Sequence, residues 1–271
     1  MKKFKAGNVI SHIYLIILTL ISIFPLVWII ISSLKGKGEL TGNPTAFWPE
    51  TWTFDYYAHV INDLKFFVNI RNSVIISLVT TLIAITVAAL AAYGIVRFFK
   101  RLGSAMSKVL VTTYIFPPIL LAIPYSVVMG KLGLINTRIG LVIVYLSFSV
   151  PYAVWLLTGF FRTVPLEIEE AARIDGANGF RTVWDIILPL IRRSMMFVFV
   201  SNTVANLLMF VPMYMITLGG PEMSTNLMMY EAYKSGFIYA DFGRSYAIVT
   251  LILLVSFAVV MVEMKVLKPK H

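Results

Sequence analysis

The sequence predicts an all-helical integral membrane protein with six transmembrane helices, and three observations lead to this fold class. Of the 271 residues, 59% are hydrophobic and 13% are charged, and the mean hydropathy is +0.84, which is too apolar for a soluble domain of this length. The apolar residues gather into runs near the ~20 residues that a helix needs to cross the hydrocarbon core. Lys and Arg, finally, are shared unevenly between the connecting loops.

The predicted spans occupy residues 12–34, 74–96, 109–129, 139–161, 195–218 and 246–262. The first follows a basic N-terminus, but its length and the lack of a small-residue cleavage site favour a retained span over a signal peptide. The second contains the alanine-rich stretch 88–94, whose small residues allow close contact between helices in lipid. Bends are predicted in the third, fourth and fifth spans because these carry Pro117, Pro118, Pro124, Pro151 and Pro212.

The cations predict the orientation of these spans. Most of the Lys and Arg residues fall on one side of the predicted membrane: Lys2, Lys3, Lys5, Arg97, Lys100, Arg101, Lys108, Arg162, Arg173, Arg181, Arg192, Arg193, Lys265, Lys268 and Lys270. By the positive-inside rule, that side is cytoplasmic, so both termini and the loop around Glu170 are expected in the cytoplasm.

Several classes of function are disfavoured by what the sequence lacks. None of the six runs contains Asp, Glu, Lys or Arg, whereas proton- or sodium-coupled carriers normally need ionisable groups at membrane depth. A Gly-x-x-x-x-Gly-Lys-Ser/Thr phosphate loop is also absent, so the chain itself is not expected to hydrolyse ATP. There is no cysteine, and His12, His59 and His271 offer no spacing for metal ligands. The net charge of +10 is explained by topology, without a nucleic-acid partner.

The most charged segment between two apolar runs is predicted to be a helix, a turn and a second helix. Ile168, Ala171, Ala172 and Asp175 fall at helical spacing, so the small alanines would allow another protein to approach the backbone closely. Gly176 is expected to end the first helix in a left-handed conformation. Four later residues repeat the i, i+3, i+4, i+7 pattern of a second amphipathic helix: Phe180, Val183, Trp184 and Ile187.

Seven residues of this segment match, in identity and spacing, the cytoplasmic "EAA" loop of the permease subunits of binding-protein-dependent ABC importers: Glu170, Ala171, Ala172, Gly176, Ile186, Leu188 and Pro189. With Asp175 of the extended motif, they are the residues that the resemblance assigns to ATPase coupling. The extended motif, 168–177, is similar to that of the carbohydrate-importing, maltose-type branch. The resemblance implies the type I ABC importer permease fold, in which this loop docks on the ATPase and couples its closure to movement of the membrane helices. It also implies three protein partners: a second homologous permease, an ATP-binding cassette ATPase dimer that binds ATP and Mg, and an extracytoplasmic solute-binding protein.

The resemblance divides the chain into an N-terminal tail, first span and external loop (1–70), a transmembrane domain (71–264) with its coupling loop (163–193), and a cytoplasmic tail (265–271). No cofactor is expected in this chain. The external segment around 219–243 is similar to the first permease of the maltose-type pair, whereas the N-terminal half is similar to the second.

Asn202 and Asn206 are candidates for the solute pathway. They are four residues apart on the fifth predicted span and share one face, and neutral hydrogen-bonding groups can replace the water that a sugar loses. Tyr214 follows as a possible stacking surface. Hydrogen bonding between helices explains the two asparagines equally well.

The chain is therefore predicted to be a sugar or oligosaccharide importer permease in a bacterial or archaeal cytoplasmic membrane. The alternatives are an importer permease for a non-sugar polar solute, a secondary transporter, or a membrane scaffold whose Glu170 loop binds a signalling partner. Co-purification of an ATPase separates the importer readings from the last two.

Overall fold

The computed structural model describes residues 6–99 and 102–267. Within these ranges every extended regular element is helical, and Lys35 and Trp52 form an isolated antiparallel bridge. We number the α-helices in chain order: α1 (Ala6–Ser32), α2 (Glu39–Gly42), α3 (Asp55–Asn62), α4 (Phe66–Arg97), α5 (Leu102–Ile115), α6 (Pro118–Lys131), α7 (Arg138–Phe161), α8 (Leu166–Ile174), α9 (Gly179–Arg181), α10 (Leu188–Leu190), α11 (Arg192–Leu207), α12 (Val211–Ile216), α13 (Met228–Tyr233) and α14 (Phe242–Leu267).

Four helices in the described part of the chain are long and apolar enough to cross a membrane: Ile10–Ser32 of α1, α4, α7 and α14. They correspond to the first, second, fourth and sixth predicted spans. The third predicted span is a pair of helices, Ala105–Ile115 and Pro118–Lys131, bent by 95° at the break and counting as a fifth span if taken together. The all-helical membrane class is thus confirmed, and the count of six spans stays a prediction.

Proline residues explain why the third and the fifth predicted spans are each interrupted. Pro118 is the first residue of α6, where the missing N–H costs nothing, but the ring cannot continue the helix that precedes it. The fifth predicted span, 195–218, is divided into two helices: α11 ends at Leu207, and α12 starts beside Pro212. The Tyr145 hydroxyl on α7 donates to the carbonyl of Met209 at 2.8 Å and so satisfies an acceptor at this break.

The chain forms two compact units. The first contains the described residues up to Phe67 together with Glu231–Leu254, and the second contains Val68–Tyr230 together with the described residues from Val255 onward.

The core of the second unit is built around the alanines of α4. Ala88 and Ala92 are fully buried and pack with Ala153 and Leu157 of α7 and with Val198 of α11. Small side chains allow this because helices in lipid associate through close van der Waals contact. The close contact predicted for the stretch 88–94 is therefore present in the structure.

In the first unit, a carboxylate organises the loop after α1. Glu39 accepts hydrogen bonds from the Thr51 hydroxyl and from the backbone amides of Thr51, Glu50 and Gly36, at 2.7 to 3.0 Å. The Thr51 hydroxyl, together with these amides, outweighs partial desolvation and lowers the pKa of Glu39 to about 2. Glu39 is therefore ionised at neutral pH, and it ties the start of α2 to residues 50 and 51.

Some of the Lys and Arg residues that predict the orientation of the spans in the membrane lie outside the described ranges. These are Lys2, Lys3, Lys5, Lys100, Arg101, Lys268 and Lys270, with the last part of the predicted tail 265–271.

Candidate functional site

The first arm of the loop 163–193 is α8, and its ends follow local rules. Acidic Glu167 and Glu169 lie in the first turn and basic Arg173 in the last, as the helix dipole favours. Gly176 has a φ of 85°, the left-handed conformation predicted for it. The amide of Ala177 donates to the carbonyl of Ala172 at 2.9 Å, so an otherwise free helix-terminal acceptor is satisfied.

The second arm runs from Asn178 to Ile191. The side chain of Asn178 caps it by accepting from the amide of Arg181 at 2.9 Å. The backbone then winds as a π-helix over Thr182–Ile187 before α10. A π-turn has a wider repeat than an α-helix, and the predicted apolar face is split. Ile187 is buried, whereas Phe180 and Trp184 are exposed and stack with ring centroids 6.0 Å apart.

The predicted small-residue face of α8 is also divided. Ala172 is buried, so it packs inside the protein, while Ala171, Glu170, Asp175 and Gly176 are exposed. In the second arm, Pro189 is exposed, and Ile186 and Leu188 are partly buried.

The three most exposed large apolar side chains on this loop are Ile174, Phe180 and Trp184, which are 86%, 73% and 62% exposed. Large exposed apolar residues gathered on one short loop are typical of a protein interaction surface. We call these three residues the apolar tip.

One buried contact of the loop was missed by the sequence analysis. Glu169 and Arg173 have the i,i+4 spacing of an ion pair within α8, but Glu169 is 1% exposed and contacts Arg97 at the end of α4. The partner lies 72 residues earlier in the chain, so no local pattern could have identified it.

The structure brings Asn206 into contact with two other helices. Its Nδ2 donates to Thr81 Oγ1 of α4 at 3.1 Å, and Ser149 Oγ of α7 donates to its Oδ1 at 2.8 Å. Asn202 is buried as well, and its Nδ2 donates to the Val198 carbonyl of its own helix at 3.3 Å. The two asparagines therefore share a buried region but have different partners.

Tyr214, the third candidate for the solute pathway, lies beyond the break on α12. It is half-buried and stacks on Phe210 with ring centroids 5.3 Å apart. Over the described ranges, the structure shows no group of three or more His, Cys, Asp or Glu residues that could bind a metal ion.

Known proteins resemble this chain in sequence. The profile of a family described as "Binding-protein-dependent transport system inner membrane component" matches residues 84–270. The chain is 33% identical over 193 residues to a diacetylchitobiose uptake system permease protein of Streptomyces coelicolor, covering 71% of this chain and 64% of the relative. It is 32% identical over 183 residues to an inner membrane ABC transporter permease protein of Escherichia coli, covering 67% and 65%. The match thus spans slightly less than two thirds of these relatives.

Solved structures share the fold. A chain of a bacterial ABC transporter involved in the import of the acidic polysaccharide alginate matches with a TM-score of 0.70 over 98% of both chains, at 21% identity. A chain of the bacterial alginate ABC transporter in complex with an alginate pentasaccharide-bound periplasmic protein matches with a TM-score of 0.72 over the whole of both chains, at 14% identity. The match of the family profile over most of the chain shows that the protein belongs to the family of binding-protein-dependent transport system inner membrane components.

Proposed function

We propose that this chain is a permease subunit of an ABC importer and forms half of the translocation pathway for a sugar or oligosaccharide. Its partners are a second homologous permease, an ATPase dimer that binds ATP and Mg, an extracytoplasmic solute-binding protein and the surrounding lipid. The proposed location is the cytoplasmic membrane of a bacterium or archaeon, with six spans and both termini in the cytoplasm. Relatives whose names mention diacetylchitobiose and trehalose/maltose support the carbohydrate class.

The observation that carries the coupling role is the construction of the loop 163–193. Two helical arms meet at Gly176, and the apolar tip projects into solvent near their junction. An ATPase groove that accepts Ile174, Phe180 and Trp184 would bury apolar surface that the isolated chain leaves in water. The exposed residues Glu170 and Asp175 would then lie at the polar rim of the contact.

The proposed solute pathway includes Asn202, Asn206 and Tyr214. The interruption between α11 and α12 supports this placement, because irregular backbone at membrane depth usually lines a cavity or is buried in protein. Since Asn206 already bonds two hydroxyls, a solute hydroxyl would have to exchange with Thr81 or Ser149.

The function is tested by purifying the chain with the products of its neighbouring genes and reconstituting the complex in vesicles. We expect an ATPase to co-purify and a carbohydrate from a solute panel to be taken up only with ATP and the binding protein present. Uptake driven by an ion gradient without ATP would support a secondary transporter instead. A complex that contains no ATPase would contradict the importer assignment, and ATP-driven uptake of a non-sugar polar solute alone would correct the solute class.

A further inference from the structure

The contact between Glu169 and Arg97 is part of a larger bonded group at the start of α8. Nε of Arg97 donates to Oε1 of Glu169 at 2.5 Å, with 11% and 2% of the two side chains exposed. The hydroxyl of Tyr93, one turn earlier on α4, donates to Oε2 at 3.1 Å. Both carboxylate oxygens therefore accept a hydrogen bond from α4. By contrast, Glu167 and Glu170, the neighbouring carboxylates, lie in solvent.

The same guanidinium also binds the segment that leads into α8. Nη2 of Arg97 donates to the backbone carbonyl of Val164 at 2.8 Å. The rings of Tyr93 and Phe161, the last residue of α7, form a T-shaped contact at a centroid distance of 5.9 Å. We call Tyr93, Arg97, Val164 and Glu169 the clamp.

Net stability alone is a poor explanation for the clamp. The free energy needed to remove two charges from water is about as large as the free energy gained from their attraction. Apolar residues of similar volume therefore often give a buried site the same stability. A planar guanidinium with several fixed donors does, however, impose direction. Because Arg97 bonds both Glu169 and Val164, α8 cannot rotate or slide against the C-terminal end of α4 without leaving a buried charge unpaired.

We propose that the clamp makes α8 and the C-terminal end of α4 move as one rigid body, so that a displacement of the loop 163–193 is transmitted to α4. Arg97 and Glu169 are positioning residues in this proposal, which rests on the coupling role proposed for the loop. Because Thr81 of α4 bonds Asn206 of α11, a displacement of α4 reaches the helix that carries two of the three candidate pathway residues, Asn202 and Asn206. In this proposal, α4 is the route between the loop and the membrane interior.

The first test uses the whole importer in proteoliposomes, with this chain carrying Glu169→Gln or Arg97→Gln. Mutations along a coupling network change coupling by roughly two- to thirtyfold. We therefore expect the amount of solute moved per ATP hydrolysed to decrease by roughly two- to thirtyfold, while the ATPase still co-purifies. Glu167→Gln, an exposed carboxylate of the same helix, is the matched control and should keep the native ratio. The reciprocal pair Arg97→Glu/Glu169→Arg should recover part of the loss. Native ratios in both single variants would overturn the proposal.

A second test does not depend on whether these variants fold. The chain has no cysteine, so spin labels can be placed at Phe98→Cys, just after α4, and at Glu167→Cys in α8, with all four clamp residues unchanged. We expect one narrow distance distribution that is the same in the nucleotide-free and ATP-bound importer. A distribution that shifts with ATP means that α8 moves against α4, and the proposal is then wrong.

The two proposals fail in different ways. If no ATPase co-purifies with the unmodified chain, the importer function fails whatever the clamp does. If the native importer couples ATP to uptake but the label distance changes with ATP, the function stands and only the role of the clamp is lost.

Discussion

Gly176 shows how one residue fixes the geometry of the loop. Its φ of 85° lies in the left-handed region, where a side chain costs about 1–2 kcal/mol, and an added Cβ would meet no atom within 4 Å. A substitution there tests backbone conformation without a steric clash.

We expect the Gly176→Val variant to insert normally and to bind the ATPase roughly five- to thirtyfold more weakly. This range is the change in affinity that corresponds to the backbone strain, if the free loop relieves the strain by distorting and must recover its native shape to bind. Gly176→Asn is the matched control, because asparagine tolerates the left-handed region and should lose less. The measurement is the affinity of the purified permease complex for its ATPase, together with uptake. Equal affinities for the two variants would show that the conformation at Gly176 does not matter for docking.

At the scale of helices, Asn206 joins three elements, α4, α7 and α11, through two side-chain hydrogen bonds. Such bonds in membranes contribute about 0.6 kcal/mol on average and up to about 1.7 kcal/mol each. Asn202, one turn earlier, bonds only a carbonyl of its own helix among the contacts that the described residues make. The two positions therefore differ in what they connect.

Asn206→Leu should lower the thermal stability of the detergent-solubilised complex more than Asn202→Leu, because only the first leaves the Thr81 and Ser149 hydroxyls without this partner. Both melting temperature and uptake need to be measured. A variant that transports at the native rate removes its residue from the solute pathway. An equal loss of stability for both substitutions would contradict the assignment of Asn206 as the link between helices.

At the scale of the whole molecule, the orientation of the loops in the membrane is open to a direct experiment. Single cysteines can be introduced at Asn178, in the loop 163–193, and at Met223, between α12 and α13; both positions are exposed and the native chain contains no cysteine. Because the positive-inside rule places the two loops on opposite sides, an impermeant thiol reagent should label only Met223→Cys in intact cells. Asn178→Cys should react after the membrane is opened with a denaturing detergent. Labelling of both in intact cells would show that the predicted topology is wrong.

The sequence alone determined features whose causes lie within a few residues. Apolar runs near ~20 residues identified most of the membrane helices. The left-handed turn at Gly176 and the helical arm before it followed from spacing and from the freedom of glycine. The family resemblance rested on the same local motif.

Tertiary structure decided which residues from distant parts of the chain meet. Helical periodicity placed Ala171 and Ala172 on one surface, but packing buried Ala172 and left Ala171 exposed. Spacing within α8 suggested Arg173 as the partner of Glu169, whereas the fold supplied Arg97. The physical reason is that local patterns record the repeat of one helix, while the choice of a buried partner depends on which helices lie against it, and that is settled only when the whole core has packed.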